Sequence, residues 1–306
     1  MRAAYYEAFG GPESLQLGDR PDPVPQAGQM LVRSRAAGVG IWDVGMMSGR
    51  GGQAPLPRIP GCEVAGTVEA AAGGFRAGDR IFCSLFTAGG GGFAELAAVR
   101  ADKAAVIPDG IDFPEAAGLV IPAVTAHEGL VDRARLRAGE TVLITAASGG
   151  VGTAAIQIAR NIGARVAAVA SARHHGYVRD LGAEVAVDYH DSRFAEQLRS
   201  AVPDGFDVLF DGTGNEVRDQ VLGLVREGGR GIFIIGGAPP APAGVDFQYF
   251  GAATPTGRLE AIAGLASAGQ LRMPIEAEFP LERARAAMER VGTRHTVGRV
   301  VLRIGS

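Results

Sequence analysis

The chain has 306 residues, 47% hydrophobic and 21% charged, a balance that supports a large core and excludes a disordered chain. A net charge of −3 gives no general attraction to nucleic acid or an anionic membrane, and the length allows two sizeable domains. Two cysteines, Cys62 and Cys83, are too few for a disulfide framework or a four-cysteine zinc site. They fit a reducing compartment, so a cytoplasmic location is expected. No apolar run is long enough to span a bilayer, and the opening residues read as a strand rather than a signal peptide.

The first 110 or so residues read as all-β. Short apolar or alternating runs recur at Met1–Tyr6, Met30–Ala36, Glu63–Glu69, Arg80–Cys83 and Gly92–Val99, between separators rich in glycine and proline. Such spacing predicts a folded-over barrel or sandwich. The character changes near Pro114, where Pro114–Leu119 and Ala123–Val131 read as two helices and Arg133 to Gly139 as a polar connector. Strands then alternate with helices. The strands are Thr141–Thr145, Arg165–Ala170, Val185–Asp188, Asp207–Phe210 and Gly231–Ile235. The helices are Gly150–Ile162, His174–Leu181, Arg193–Val202 and Glu216–Arg226. This alternation predicts βαβ crossovers and a doubly wound parallel sheet. Near Ala252 the pattern changes again, and a tail of two helices and two strands, ending at Gly298–Arg303, is expected to return to the first domain.

The segment Glu140 to Ala159 carries the chemistry. A buried strand, Val142-Leu143-Ile144, runs into Ala147-x-Gly149-x-x-Gly152 and then into a helix with one apolar face. The first amides of a helix lack intrahelical partners and point outward with partial positive charge, so they bind phosphate. Glycines let the backbone approach a pyrophosphate and let the helix pack on the strand. The glycines alone also fit an ordinary tight strand-to-helix turn. The second strand weighs against the ordinary turn and bears on the choice of cofactor. In dinucleotide folds a carboxylate at its end accepts from the ribose 2′-hydroxyl of NAD. Here the strand ends in Ser171-Ala172-Arg173-His174, with a hydroxyl and a guanidinium instead. These suit a 2′-phosphate and favour NADPH, with Tyr177 one helical turn later placed to flank it. His174 and His175 read as surface residues.

With these segments in hand the chain resembles the zinc-independent medium-chain dehydrogenase/reductase superfamily, in its quinone oxidoreductase (ζ-crystallin-like) branch. The resemblance runs along nearly the whole chain. It rests on Gly10-Gly11-Pro12-Glu13, Ala36-Ala37-Gly38-Val39 with Asp43, Pro60-Gly61 with Glu63 and Gly66, and Gly78-Asp79-Arg80. It continues through Thr125-Ala126, the Ala146 to Gly152 turn, Leu181-Gly182-Ala183, Asp211 with Gly214, and Gly298-Arg299-Val300-Val301. The family implies an α/β protein. Its GroES-like catalytic domain would span residues 1–117 and be completed by 252–306. Its Rossmann NADPH-binding domain would span 118–251, with NADPH in a cleft between the two. The resemblance also implies contacts: Thr125 near the nicotinamide half, and Ser148, Gly149, Gly150, Val151 and Gly152 at the pyrophosphate. Ser171, Arg173 and Tyr177 would hold the 2′-phosphate, Ile235 and Gly236 would flank the nicotinamide, and Gly214 and Arg299 complete the cofactor set. A homodimer is expected from sheets joined edge to edge, with Val245–Phe250 as the pairing strand.

Zinc members of the superfamily need a Cys after the Gly-Val, a His before the Glu and a second Cys in the domain-joining helix. Gly40, Cys62 and approximately Pro122 stand there, and one soft ligand does not make a three-ligand site, so no metal is expected. Without a Lewis acid to lower an alcohol's pKa, the resemblance points to hydride delivery from NADPH to a quinone or an α,β-unsaturated carbonyl. The chain departs from the branch where an Asn and a Tyr are usual, carrying Gly40 and Gly45 instead. Trp42, Met46, Met47 and the run Ser48-Gly49-Arg50-Gly51-Gly52 stand in that region, which suggests a roomier, more apolar pocket for a polycyclic acceptor. Asp43 and Trp42 are the catalytic candidates, and Asp43 equally suits a structural role capping local amides. Two other readings compete: a tailoring enoyl reductase of polyketide or secondary metabolism, and an NADPH-binding structural or regulatory protein with little turnover.

Overall fold

A computed structural model of the chain describes residues 1–50, 55–251, 254 and 257–305. The chain divides into two compact units, one of Met1–Val124 with the segment from Ala253 onward, the other Thr125–Ala252. The expected boundary at 117/118 and the first unit's limit at Val124 both lie within one helix, and the boundary expected at 251/252 involves residue 252, which lies outside the described residues.

The first unit opens with β1 (Arg2–Tyr5) and β2 (Gln16–Asp19), paired antiparallel. It continues with β3 (Gln29–Val39), α1 (Ile41–Met47), β4 (Glu63–Ala70), β5 (Arg80–Ser84), β6 (Leu96–Arg100), β7 (Ala104–Val106) and α2 (Phe113–His127). The second unit alternates β8 (Thr141–Ile144), α3 (Gly150–Ile162), β9 (Arg165–Val169), α4 (His175–Leu181), β10 (Val185–Val187) and α5 (Phe194–Ala201). It ends with β11 (Phe206–Asp211), α6 (Glu216–Val221), β12 (Val225–Phe233) and β13 (Asp246–Tyr249). The chain closes with α7 (Arg258–Ser267), β14 (Ile275–Pro280), α8 (Ala284–Gly292) and β15 (Arg299–Arg303).

Strand β3 organises the first unit. Its amino-terminal half alternates, sending Met30 and Val32 into a core with Val64, Val68, Ile81, Cys83 and Val99, and pairs with β6. Its second half, Ala36-Ala37-Gly38-Val39, is buried throughout and pairs with β15. A register shift between Ser34 and Ala36 separates the two halves along β4. A bulge of this kind bends a strand, so one strand serves two partners on the same edge. The resulting order is β14-β15-β3-β4-β5-β7, with β6 also on β3.

The second unit is a six-stranded sheet of order β10-β9-β8-β11-β12-β13, parallel at every pairing. Its central strands read as unbroken apolar runs, Val142-Leu143-Ile144 and Val208-Leu209-Phe210, because helices cover both faces of such a sheet. The strand order reverses between β8 and β11. In doubly wound sheets ligands bind at this switch point, at the carboxyl ends of the strands.

Three expected elements differ. The two helices read around Pro122 are one, α2, followed by a π-helical turn at Glu128–Arg133. Proline removes one intrahelical donor, but burial of this segment outweighs that loss. The helix expected over Glu216–Arg226 stops at Val221, and β12 already begins at Val225 rather than at Gly231. Gly228-Gly229, between the expected helix and the expected strand, is an irregularity within β12, where the register on β11 shifts after Phe206 and Gly228 takes φ +76°. Ile235 therefore lies past the strand end rather than on it.

Candidate active site

At the carboxyl end of the parallel sheet two loops are fastened together. Thr145 Oγ1, just past β8, donates to Asp211 Oδ1 at the end of β11 (2.5 Å) and accepts from Gly212 N (3.0 Å). The same carboxylate accepts from Thr213 Oγ1 (2.6 Å) and from Gly214 N (3.0 Å). Asp211 is wholly buried, and its bonds fix the shape of the β11 loop against the glycine turn. The sequence reading gave Thr145 and Asp211 no role. The signal was a polar side chain ending each of two adjacent central strands.

Within the turn, Ala146 is held at φ +50°, a region that disfavours side chains. A Cβ on Gly152 would lie 2.5 Å from Ala146 O and 2.6 Å from Ala147 Cα, so only glycine lets α3 pack this close. At Gly149 the nearest atom would be 3.4 Å away, ordinary contact. Gly149 is the N-cap of α3 and no side chain caps the helix, so its first-turn amides, with Ser148, Gly150 and Val151, suit an anion.

At the end of β9, Ser171 Oγ donates to Tyr189 Oη (3.1 Å), a partner the sequence reading missed. Arg173 is exposed and makes no ion pair among the described residues. Tyr177 is turned inward, its hydroxyl 2.8 Å from Thr153 Oγ1 on α3, and burial raises its pKa. It braces α4 on α3 and retains one hydrogen-bonding position. His175 is half-buried, its Nε2 3.1 Å from Ala170 O. Thr125 is buried, and its Oγ1 has no hydrogen-bond partner. A buried hydroxyl left unpaired is costly unless something else meets it. Gly214 takes φ +62°, and a Cβ there would strike Ile235 at 2.8 Å; Ile235 is 38% exposed and Gly236 takes φ +75°. An uncapped helix start, an orphaned threonine hydroxyl and an unpaired exposed arginine together fit a phosphorylated dinucleotide.

The first unit holds a second buried cluster, and Arg299 belongs to it. Its guanidinium pairs with Glu63 Oε2 and lies 5.0 Å from the Trp42 ring centroid. Glu63 Oε1 also accepts from Ile121 N (2.9 Å). Gly38 is glycine because a Cβ would lie 2.6 Å from Glu63 Oε2 and 2.8 Å from Arg299 Nη2. Arg299 is thus engaged in a structural pair, and its expected part in the cofactor set has no support in these contacts. Asp43 Oδ2 accepts from Gly40 N (2.8 Å), the capping role. Burial pushes Asp43 up to about 6, against the Gly40 amide, the neighbouring Cys62 thiol and Arg299. Burial likewise pushes Glu63 up to about 7, against Arg299 and the Ile121 amide. The Cys62 thiol is buried and raised by burial first and then by Asp43. Trp42 Nε1, Asp43 Oδ1 and Arg299 Nε are buried without partners.

Among the described residues no three His, Cys, Asp or Glu side chains are grouped to hold a metal ion, so this donor set does not fit catalytic zinc. The expectation that Gly40 widens a pocket is overturned: a Cβ there would lie 2.1 Å from Trp42 Cε2, so the indole already fills that space. Among the described residues, a Cβ on Gly45 would meet nothing within 4 Å. Gly51 and Gly52 of the run expected to line this region lie outside the described residues.

A GroES-like β unit and a parallel nucleotide-type sheet define a two-unit dehydrogenase/reductase architecture. Residues 26–109 match the alcohol dehydrogenase GroES-like domain and residues 181–302 the zinc-binding dehydrogenase domain. Quinone oxidoreductase from Mus musculus is 34% identical, the match covering 94% of this chain and 93% of that protein. The NADPH-dependent alkenal/one oxidoreductase, chloroplastic, from Arabidopsis thaliana is 31% identical, over 99% of this chain and 79% of that protein. The crystal structure of an NAD-dependent alcohol dehydrogenase superposes with a TM-score of 0.92 at 28% identity, each chain fully covered. The chain belongs to the medium-chain dehydrogenase/reductase superfamily, in its quinone oxidoreductase branch, and is an oxidoreductase.

Proposed function

We propose that the protein is an NADPH-dependent reductase of a quinone or an α,β-unsaturated carbonyl. The observation that carries the cofactor choice is the end of β9, where Ser171 and an unpaired Arg173 stand in place of a carboxylate. A guanidinium engages a 2′-phosphate with two parallel bonds, whereas NAD wants an acceptor there. The name of the Arabidopsis relative supports NADPH and that of the NAD-dependent structural neighbour points the other way; Ser171 and Arg173 at the end of β9 weigh on the side of NADPH.

When bound, NADPH supplies hydride. The protein's part is to hold and orient. First-turn amides of α3 at Gly150 and Val151, with Ser148, take the pyrophosphate, and Gly149 and Gly152 let the backbone come close. Ser171 and Arg173 take the 2′-phosphate, with Tyr177 as their brace. Thr125 Oγ1 offers its unused hydrogen-bonding capacity to the nicotinamide half, and Ile235, Gly236 and Gly214 form its rim. The acceptor's own carbonyl draws charge from the carbon that is attacked, so no step is routed through a metal. In this reading the second unit is the NADPH-binding domain and the first the catalytic one. The protein works in the cytoplasm as a homodimer paired through the edge strand β13.

A glycine at residue 45 is the feature that favours a tailoring enoyl reductase with a bulky substrate. Loss of NADPH absorbance with phenanthrenequinone and with cyclohexenone tests the proposal. Thermal protection by NADPH without turnover of either would return the protein to the class of cofactor binders.

A further inference from the structure

We propose that the first unit carries a second ligand site, an arginine-lined cavity that takes a small organic oxyanion. It is built where β3 divides between two partner strands, and none of its lining residues belongs to the cofactor set. The proposal does not rest on the reductase reading.

The cavity measures about 440 Å³, within the range of small-molecule sites. Its charged lining side chains are all arginines: Arg35, Arg80 and Arg303. The β3 bulge supplies the first. Ser34 pairs with Gly66 and Ala36 with Ala65, so Arg35 is the extra residue with no partner on β4. On the other edge the β6 ladder ends at Arg33 and the β15 ladder begins at Ala36. A bulge of this kind re-aims a side chain. The Arg35 guanidinium lies beside Gly305, where a Cβ would be 3.9 Å from Nη1. Arg35 O accepts from Ile304 N (3.0 Å), which ties the chain past β15 to the bulge. Thr67 and Arg80 face each other across β4 and β5, on the side turned away from the core that Val64, Val68 and Ile81 enter.

Arg80 is half-buried, its Nη2 donates to Ile111 O (2.8 Å), and its guanidinium lies 4.7 Å from the Phe113 ring centroid. These neutral partners orient the fork without cancelling its charge, and no carboxylate pairs with it among the described residues. A half-buried guanidinium without a counter-ion attracts an anion, and its planar fork matches carboxylate and phosphate oxygens alike. The carboxylates of this region are already engaged. Glu278 pairs with Arg303, Glu69 with Arg33 (2.5 Å), and Asp112 accepts from Glu115 N (2.8 Å) at the start of α2. Phe113, Pro114 and Ile304 give the cavity apolar walls. An inorganic ion would leave those walls unused, so the ligand is an oxyanion on an apolar body, a phosphate monoester or a carboxylate.

The test is calorimetric titration of the full chain, with NADPH present in excess, using phenyl phosphate, benzoate and inorganic phosphate as probes. One aromatic probe is expected to bind at a single site and more tightly than inorganic phosphate; which one binds better distinguishes phosphate from carboxylate ligands. No binding of either, or equal binding of inorganic phosphate, overturns the proposal. Arg80→Gln and Arg35→Gln should each weaken binding about tenfold or more. Arg33→Gln, on the same strand but outside the cavity, and Arg173→Gln should leave it unchanged. Loss in Arg173→Gln with none in Arg80→Gln would put the anion in the cofactor set and overturn the proposal. Thr67→Glu covers the case of an Arg80 variant that fails to fold. Its carboxylate, opposite Arg80, should raise the melting midpoint and abolish binding; wild-type affinity in Thr67→Glu overturns the proposal. Residue 306, next to Gly305, lies outside the described residues. A chain extended beyond it should bind with the same affinity, and binding confined to the extended chain would make the chain's own end the occupant and overturn the proposal. A chain that ignores NADPH would sink the reductase reading, while the variant comparisons would still decide this one.

Discussion

Replacing Arg299 by methionine removes one half of the most deeply buried ion pair among the described residues of the first unit. The side chains are 6% and 0% exposed for Arg299 and Glu63. Breaking a buried pair by removing one partner costs about 3–5 kcal/mol, because a charge is stranded. The two single variants should differ, for a chemical reason. In Arg299→Met, Glu63 can escape by taking a proton, since burial has already pushed it up to about 7. Its loss should sit near ~3 kcal/mol at neutral pH and shrink as the pH falls. In Glu63→Gln the guanidinium keeps its charge, but the amide stands in for the neutral acid that burial already favours, so the loss should be the smaller of the two at neutral pH. Glu63→Leu with Arg299→Met strands nothing and should cost much less than the two single losses added, because apolar replacement of a whole buried pair is often neutral. The assay is urea unfolding followed by emission of Trp42, the sole tryptophan and one that lies against Arg299. Additive losses in the double variant, or an Arg299→Met loss that ignores pH, would refute the reasoning.

Three further outcomes follow from the same contacts. Asp43 and Glu63 titrate at about 6 and about 7, above their ordinary 3.8 and 4.5, so the folded state binds their protons more tightly than the unfolded one. Their contribution is full below about pH 4 and is lost as pH rises through about 6 to 7, so first-unit stability should fall from acid to neutral pH. Asp43→Asn should flatten that slope, and an unchanged slope would contradict the assignment. Gly152→Ala should lower the melting temperature by several degrees and abolish NADPH binding in calorimetry, because a Cβ would lie 2.5 Å from Ala146 O, whereas Gly149→Ala should be mild. Equal losses in the two variants would refute the packing argument. Arg173→Ala should raise KM for NADPH about tenfold or more, the scale of a charge-assisted hydrogen bond, and barely alter KM for NADH. A matching rise in both would remove the 2′-phosphate contact.

The parallel sheet was legible because its signals are local. Val142-Leu143-Ile144 and Val208-Leu209-Phe210 are buried on both faces and read as such. The glycine turn falls where its spacing says, between β8 and α3. Legibility failed where distant residues decide. Burial carries α2 through Pro122, and the register of β12 on β11 makes Gly228-Gly229, outside both expected elements, part of a strand. At the candidate site the residue types at β9 were readable, but two partnerships were not. Arg299 meets Glu63 across 236 positions of sequence, and Thr145 meets Asp211 across 66. Gly40 misled for the same reason, since a glycine announces space and only coordinates reveal that Trp42 occupies it.

The placement of β15 has a consequence for how the protein is made. The last strand lies inside the sheet, between β14 and β3, not on its rim. A ribosome that has released Met1–Val124 has not released what those residues need, because the second half of β3 still lacks its β15 partner. The six strands of the parallel sheet all lie within Thr125–Ala252, so that unit can fold while translation continues. Until Arg299–Arg303 emerges, the nascent amino-terminal strands present an open edge of the kind that invites aggregation and chaperone capture.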